Sequence, residues 1–181
     1  MQTLQNNKRI YLARVLLTLA CVLLLAFIFG NSLTVGNDSD KQSNIVVKLV
    51  QKTVAFFAPN SWIATAVGED YQRLHAIVRT LAHFSEFALL GALCSWCYRA
   101  YTSQKIYFFV VVFFVAFVPI IDEFLQSFTI GRVMDILDVW VDTLGAFAGI
   151  VFALSTLWLA KIVIKRREKI AGIRNSSNQI Q

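Results

Sequence analysis

Four long apolar stretches dominate this sequence, and their lengths restrict the folds that the chain can adopt. They cover residues 10–29, 79–98, 106–124 and 136–160. Each is close to the ~20 residues that a helix needs to cross a bilayer. Only 15% of the 181 residues are charged, whereas a soluble domain typically has roughly a quarter. We therefore predict an all-α membrane protein with four transmembrane helices.

The first apolar stretch has two interpretations. Lys8 and Arg9 form a basic start before an apolar centre at 15–29, which is also the pattern of a secretory signal peptide. Cleavage after Gly30 would place Ile28 where a small residue is required. We therefore favour an uncleaved membrane anchor.

The distribution of basic residues predicts the orientation of the chain. With four spans, both termini and the 99–105 loop lie on one side of the membrane. That side carries eleven Lys and Arg residues, against six on the other. Because positive charge concentrates in cytoplasmic segments, we predict cytoplasmic termini. Segments 30–80 and 122–135 then face outward.

A short amphipathic helix is predicted between the first and second spans. A polar loop at 31–44 precedes apolar and basic residues at roughly helical spacing from Ile45 to Phe56, and Pro59 ends the pattern. This helix either packs on the others or lies in the outer membrane interface with Trp62 as an anchor. The mixture of aromatic and basic residues favours the interface.

The chain divides into a membrane domain at 1–165 and a tail at 166–181. The tail is basic and then rich in Asn, Ser and Gln, so we predict that it is disordered. Its basic part is expected to contact anionic lipid headgroups. Topology and lipid contact thus explain the net charge of +6, and we predict no nucleic-acid partner. An oligomer is compatible with these features.

The cysteines include a C-x-x-C pattern at Cys94 and Cys97, with Cys21 in the first span. Such a pair can serve metal binding or redox chemistry. There is no second pair, and the pattern lies at the predicted cytoplasmic end of the second span. We therefore interpret the cysteines as small apolar packing residues.

Polar residues in the outer halves of the second to fourth spans form the strongest functional signal. They recur at intervals of three and four residues, which places them on one stripe of each helix. A carboxylate in lipid costs at least about 2.5 kcal/mol, so these side chains should face protein or water. The candidate ligand-binding residues are Arg79, His83, Glu86, Asp122, Glu123, Gln126, Arg132, Asp135, Asp138 and Asp142.

This cluster has a structural and a functional interpretation. Polar groups can simply hold helices together, and Gly145 and Gly149 form a small-residue pattern for helix packing. However, six acids outnumber the bases, so a proton, a cation or a cationic ligand group must compensate. We therefore favour a binding site, in which a divalent cation is one candidate.

Individual roles follow from side-chain chemistry. His83 and Glu86 are the candidates for acid or base catalysis. The guanidinium of Arg132 suits phosphate or carboxylate, although an ion pair with a nearby acid explains it equally well.

At these residues the sequence resembles the VanZ family of small bacterial membrane proteins. The resemblance lies in Arg79, His83 and Glu86, and in the run from Asp122 to Gly149 with its D-E-x-x-Q, G-R and G-x-x-x-G patterns. The chain departs from the family at Thr80, Leu125 and Ile130, where many members carry Lys, His and Pro. The resemblance implies a multi-pass protein of the bacterial inner membrane and a link to resistance against the glycopeptide teicoplanin, but no reaction.

Three functions fit these observations. The first is binding or remodelling of an envelope lipid at the outer leaflet, such as a lipid-linked cell-wall precursor or a lipoglycopeptide. The second is a membrane enzyme acting on a lipid-linked phosphate. The third is a small cation-coupled transporter subunit. We favour the first hypothesis.

Overall fold

The structure is a computed structural model that describes residues 2–132 and 134–178. This part of the chain forms six helices and no strand. In chain order they are α1 (Gln2–Ser32), α2 (Gly36–Phe57), α3 (Trp62–Thr65), α4 (Glu69–Tyr101), α5 (Ile106–Gln126) and α6 (Ile136–Asn178).

Four of these helices contain segments long and apolar enough to cross a membrane. The segments are Asn7–Ser32, Glu69–Tyr101, Phe108–Gln126 and Ile136–Ile170. Large apolar side chains on these helices are exposed, as expected of a surface that faces lipid. The prediction of an all-α, multi-pass membrane protein is confirmed.

The long helices alternate in direction. Helices α1 and α5 end where α4 and α6 begin, and we call this end of the bundle the site end. At the opposite end Arg14 of α1 donates from Nε to the carbonyl oxygen of Ala100, at 2.9 Å. The Arg14 guanidinium also lies 5.3 Å from the ring centroid of Tyr101. Because the last carbonyls of a helix lack partners within it, Arg14 caps α4.

The main core lies between α1, α4, α5 and α6, and its buried members are Ile28, Phe87, Leu90, Val115, Val118, Ala146 and Ile150. Glycines bring α4 and α6 into backbone contact. A Cβ atom at Gly149 would overlap the carbonyl oxygen of Ala88, and one at Gly145 would overlap that of Phe84. This close approach sets the polar stripes of the two helices side by side.

Helices α2 and α3 cover α4 near the site end. A second buried cluster contains Val47 of α2, Ala66 directly after α3, and Leu74 of α4. Gln51 Nε2 of α2 donates to the carbonyl of Ala66 at 3.0 Å. The opposite face of α2 exposes apolar side chains, among them Ile45, Leu49, Phe56 and Phe57. Helix α2 therefore exposes an apolar surface in addition to the one that packs on α4.

Helix boundaries differ from the sequence expectations in three places. Helix α2 begins at Gly36, inside the expected loop, because a run of Gly, Asn, Asp and Ser also suits the start of a helix. Helix α4 begins at Glu69, ten residues before the expected span. Helix α6 continues over 166–178, where disorder is expected, because Lys, Arg, Glu and Ala readily extend an existing helix. Residues 179–181 of the tail lie outside the described part.

The three cysteines are free and partly buried in the half of the bundle away from the site end. Cys97 faces α1, where its Sγ lies 3.6 Å from Thr18 Oγ1. The C-x-x-C pattern is therefore separate from the polar cluster.

Candidate functional site

Buried polar side chains gather at the site end, where α1, α5 and α6 each contribute. Ser32, Asp122, Glu123, Gln126 and Asp142 are all at most 2% exposed. Four of these were expected from the helical spacing of polar residues. Ser32 was not, because it is the last residue of α1 and belongs to no polar stripe.

Asp122 is held by two side chains from different directions. The hydroxyl of Ser32 donates to Oδ1, and Gln126 Nε2 donates to Oδ2 at 3.0 Å. The second of these partners lies one turn along α5, and the first comes from the end of α1. An aspartate with a hydrogen bond at each oxygen is fixed in position.

His83 of α4 and Asp142 of α6 face Asp122 across the helix interfaces. The Nδ1 atom of His83 lies 3.8 Å from Oδ2 of Asp142. One ligand-capable atom from each of the three residues lies within 4.8 Å of the other two. We call His83, Asp122 and Asp142 the central trio. Within the described chain, His83 Nδ1 and Asp142 Oδ1 are buried without a hydrogen-bond partner.

Glu123 joins the end of α5 to the start of α6. Its Oε1 accepts the backbone N–H of Asp135 at 2.6 Å, while Oε2 is buried without a hydrogen-bond partner among the described residues. Asp135 in turn caps α6, since its Oδ1 accepts the N–H of Leu137 at 2.8 Å. Asp138 is half-buried one turn before Asp142. Glu123 and Asp135 thus have structural roles that position the central trio.

A pocket of about 170 Å³ lies between α1, α2 and α4 and shares His83 with the central trio. Its apolar lining comes from Phe27, Val46, Val78 and Ala82, and its polar lining from Asn31, Ser43, Arg79, His83, Glu86 and Arg132. Two guanidiniums, an imidazole and a carboxyl group therefore meet in one small space. We call it the arginine pocket.

Arg132 reaches the arginine pocket from the loop between α5 and α6. Gly131 precedes it with a φ of 81°, a left-handed conformation that favours glycine. Burial, and then the positive charge of Arg79, lowers the pKa of Arg132. Arg132 nevertheless stays charged, because the ordinary pKa of arginine is so high. A bound anion would relieve the repulsion between Arg132 and Arg79.

The structure separates the expected site residues into three groups. His83, Asp122 and Asp142 form the central trio, which Glu123, Gln126 and Asp135 support. Arg79, His83, Glu86 and Arg132 line the arginine pocket. Asp138 flanks the central trio on α6. Sequence reasoning missed Asn31, Ser32 and Ser43, although Asn31 and Ser32 directly follow the first apolar stretch at the depth expected for Asp122.

Comparison with known families decides where this chain belongs. A model of the VanZ/LLP1 family matches residues 17–161, which is most of the chain. The chain belongs to the VanZ/LLP1 family. Comparison with curated proteins and with solved structures gives no match.

The three departures from the VanZ pattern lie outside both sites. Thr80 and Ile130 are exposed, and Leu125 is half-buried. None of them lines the arginine pocket or belongs to the central trio. This VanZ/LLP1 protein therefore assembles its polar cluster without those side chains.

Proposed function

We propose that this VanZ/LLP1 protein binds the anionic headgroup of a cell-envelope lipid, or of a lipid-linked envelope component, in the arginine pocket. The observation that carries the proposal is the meeting of Arg79 and Arg132 in one pocket. Guanidinium groups bind phosphate through paired, charge-assisted hydrogen bonds. Glu86 and His83 offer partners for an amine or hydroxyl of the same headgroup.

The size and lining of the arginine pocket support a lipid rather than a large soluble ligand. About 170 Å³ accommodates a few water-sized groups of about 30 Å³ each, which suits a phosphate with a short substituent. Phe27, Val46 and Val78 supply an apolar wall. An acyl or isoprenoid chain could remain in the bilayer while its headgroup enters the pocket.

The amphipathic helix α2 supports a membrane-interface location for this pocket. It contributes Ser43 and Val46 to the lining and exposes Leu49, Phe56 and Phe57 on another face. Such a helix lies in the headgroup region with its apolar face toward the acyl chains. The uneven distribution of basic residues supports an outward-facing pocket in the bacterial inner membrane, with both termini cytoplasmic.

Binding by the purified full-length protein tests the proposal. Native mass spectrometry would count molecules retained from phosphatidylglycerol, phosphatidylethanolamine and an isoprenoid diphosphate. Arg79→Gln and Arg132→Gln should each weaken retention of the anionic lipids about 10- to 100-fold, because a hydrogen bond to a charged group contributes about 1.5–3 kcal/mol.

Arg73→Gln provides a matched control, since Arg73 lies on the same helix but is exposed and does not line the pocket. It should retain the anionic lipids as wild type does. Equal retention of anionic and zwitterionic lipids, or equal losses in all three variants, would contradict the proposal.

The same proposal extends to lipoglycopeptide antibiotics, which carry a lipid tail. Expression of the chain in a sensitive bacterium should raise the inhibitory concentration of teicoplanin, and Arg132→Gln should abolish that rise. An unchanged inhibitory concentration would limit the proposal to endogenous lipids.

A further inference from the structure

We propose that His83, Asp122 and Asp142 bind a divalent metal ion of the Zn²⁺ or Mn²⁺ class. This site is distinct from headgroup binding in the arginine pocket, although the two share His83. Its three donors come from three helices, α4, α5 and α6, and lie within 4.8 Å of one another. Ligands around tetrahedral zinc stand about 3.4 Å apart, as follows from metal–ligand distances of about 2.1 Å. Small side-chain rotations would close the remaining gap.

The donor set indicates the class of metal. Imidazole favours zinc and other transition metals, while carboxylates also accept manganese, magnesium and calcium. A site with one imidazole nitrogen and two carboxylates therefore suits Zn²⁺ or Mn²⁺ better than an all-oxygen cation. Metal binding would deprotonate both aspartates, and their two negative charges would then neutralise a divalent ion.

The unpartnered atoms of the central trio point to a missing ligand. Asp142 is 1% exposed, yet its Oδ1 has no hydrogen-bond partner within the described residues. The Nδ1 atom of His83 is also buried and unpartnered there. Buried polar groups in proteins almost always have partners. A cation between these two atoms and Asp122 would satisfy both of them.

Asp122 keeps the capacity to bind a cation. Both of its oxygens bond to neighbouring side chains, Ser32 and Gln126. Each carboxylate oxygen has a second lone pair that can still bind a metal. Ser32 and Gln126 therefore correspond to the outer-shell groups that orient metal ligands. Three protein ligands would leave a fourth coordination position of a tetrahedral metal open.

Metal content of the purified full-length protein tests this site without any added lipid. Protein stripped with a chelator would be dialysed against Zn²⁺, Mn²⁺, Mg²⁺ or Ca²⁺, and the bound metal would be counted by mass spectrometry. We expect one Zn²⁺ or Mn²⁺ per chain. Asp142→Asn should weaken binding at least tenfold, and Ser32→Ala about 10- to 100-fold, as for other outer-shell changes.

Asp70→Asn is the matched control, because it removes one carboxylate from an exposed position on α4 that lies outside the central trio. It should bind metal as wild type does. Substitution of the metal by Co²⁺ gives a second measurement, because His83→Gln should alter the visible spectrum of the bound Co²⁺. This measurement remains available if another variant fails to fold. Binding of Mg²⁺ or Ca²⁺ alone, no saturable binding, or equal binding by wild type, Asp142→Asn and His83→Gln would overturn the proposal. A variant that loses metal but still retains lipid would show that metal binding and headgroup binding are separate properties of the protein.

Discussion

At the scale of single residues, the two buried aspartates of the central trio differ in how the protein holds them. Asp122 accepts hydrogen bonds at both oxygens, whereas Asp142 has one oxygen without a partner in the described chain. Asp122 thus belongs to a finished structural network. In the proposed metal site, Asp142 is the aspartate that would gain a partner for this oxygen.

The bond between Ser32 and Asp122 gives a stability prediction. Ser32→Ala removes the hydroxyl partner of a buried carboxyl group, so we expect the free energy of unfolding to fall by about 1–3 kcal/mol. Unfolding in detergent with a chelator present, followed by circular dichroism, would measure it. Ser85→Ala is the control, because Ser85 is exposed and its hydroxyl donates to the Leu81 carbonyl of its own helix. Equal effects of the two variants would show that Asp122 does not depend on Ser32.

Helical spacing predicted which polar residues of one helix lie together, but it missed Asn31, Ser32 and Ser43. The stripes on the second and fourth spans correctly indicated which side chains share a face, because helical periodicity is a property of one helix. The pairing of His83 with Asp142, and of Ser32 with Asp122, depends on how neighbouring helices are rotated and how closely they pack. Contacts between helices set this rotation and this packing distance. The spacing of polar residues along a single helix carries no information about either of them.

At the scale of elements, α4 and α6 form the most tightly joined pair in the bundle. Their glycines allow backbone contact that any Cβ atom would prevent. His83 lies on α4 and Asp142 on α6, so the distance between these two side chains depends on that contact. Helix packing and the central trio are therefore coupled.

Gly149 gives the sharpest test of this coupling. Gly149→Ala should lower the free energy of unfolding by about 1–3 kcal/mol, as over-packing does, because its Cβ would overlap Ala88. Thermal unfolding in detergent would measure the change. In Gly30→Ala, a Cβ meets nothing within 4 Å, so stability should stay constant or rise slightly. A Gly149→Ala protein as stable as Gly30→Ala would argue against close packing of α4 and α6.

The sequence predicted the four long helices, but it did not predict the residues at which the helices begin and end. Four runs of about twenty apolar residues admit few folds other than four spans. The start of α2 at Gly36 and the extension of α6 to Asn178 lie in polar segments, where loop and helix compositions overlap. Turn-forming residues and helix-start residues are largely the same amino acids, so their presence alone does not separate the two.

At the scale of the whole molecule, charge is distributed unevenly between the two ends of the bundle. The end opposite the site end, together with the tail, carries eleven basic residues and one acid, while the remainder carries six basic residues and ten acids. This asymmetry predicts the orientation in the membrane. In the predicted orientation, the acid-rich cluster would lie away from the anionic surface of the cytoplasmic leaflet.

Reporter fusions would test this orientation. A cytoplasm-active reporter joined within 99–105 or after residue 178 should be active, and one joined within 58–61 should be inactive. A periplasm-active reporter should give the opposite pattern, which provides the internal control. Activity of the cytoplasmic reporter within 58–61 would show the opposite orientation. It would also contradict the proposal that the arginine pocket faces the outer leaflet.

The attachment of α1 at both of its ends has a consequence for entry into the arginine pocket. Arg14 holds α1 to Ala100 and Tyr101 at the far end, and at the site end Ser32 bonds to Asp122 and to Thr129. Phe27 and Asn31, which line the pocket, therefore lie on a helix that is fastened above and below them. A headgroup arriving sideways from the bilayer would meet a fixed wall on the α1 side, so any widening of the pocket would have to come from α2 or from the loop that carries Arg132.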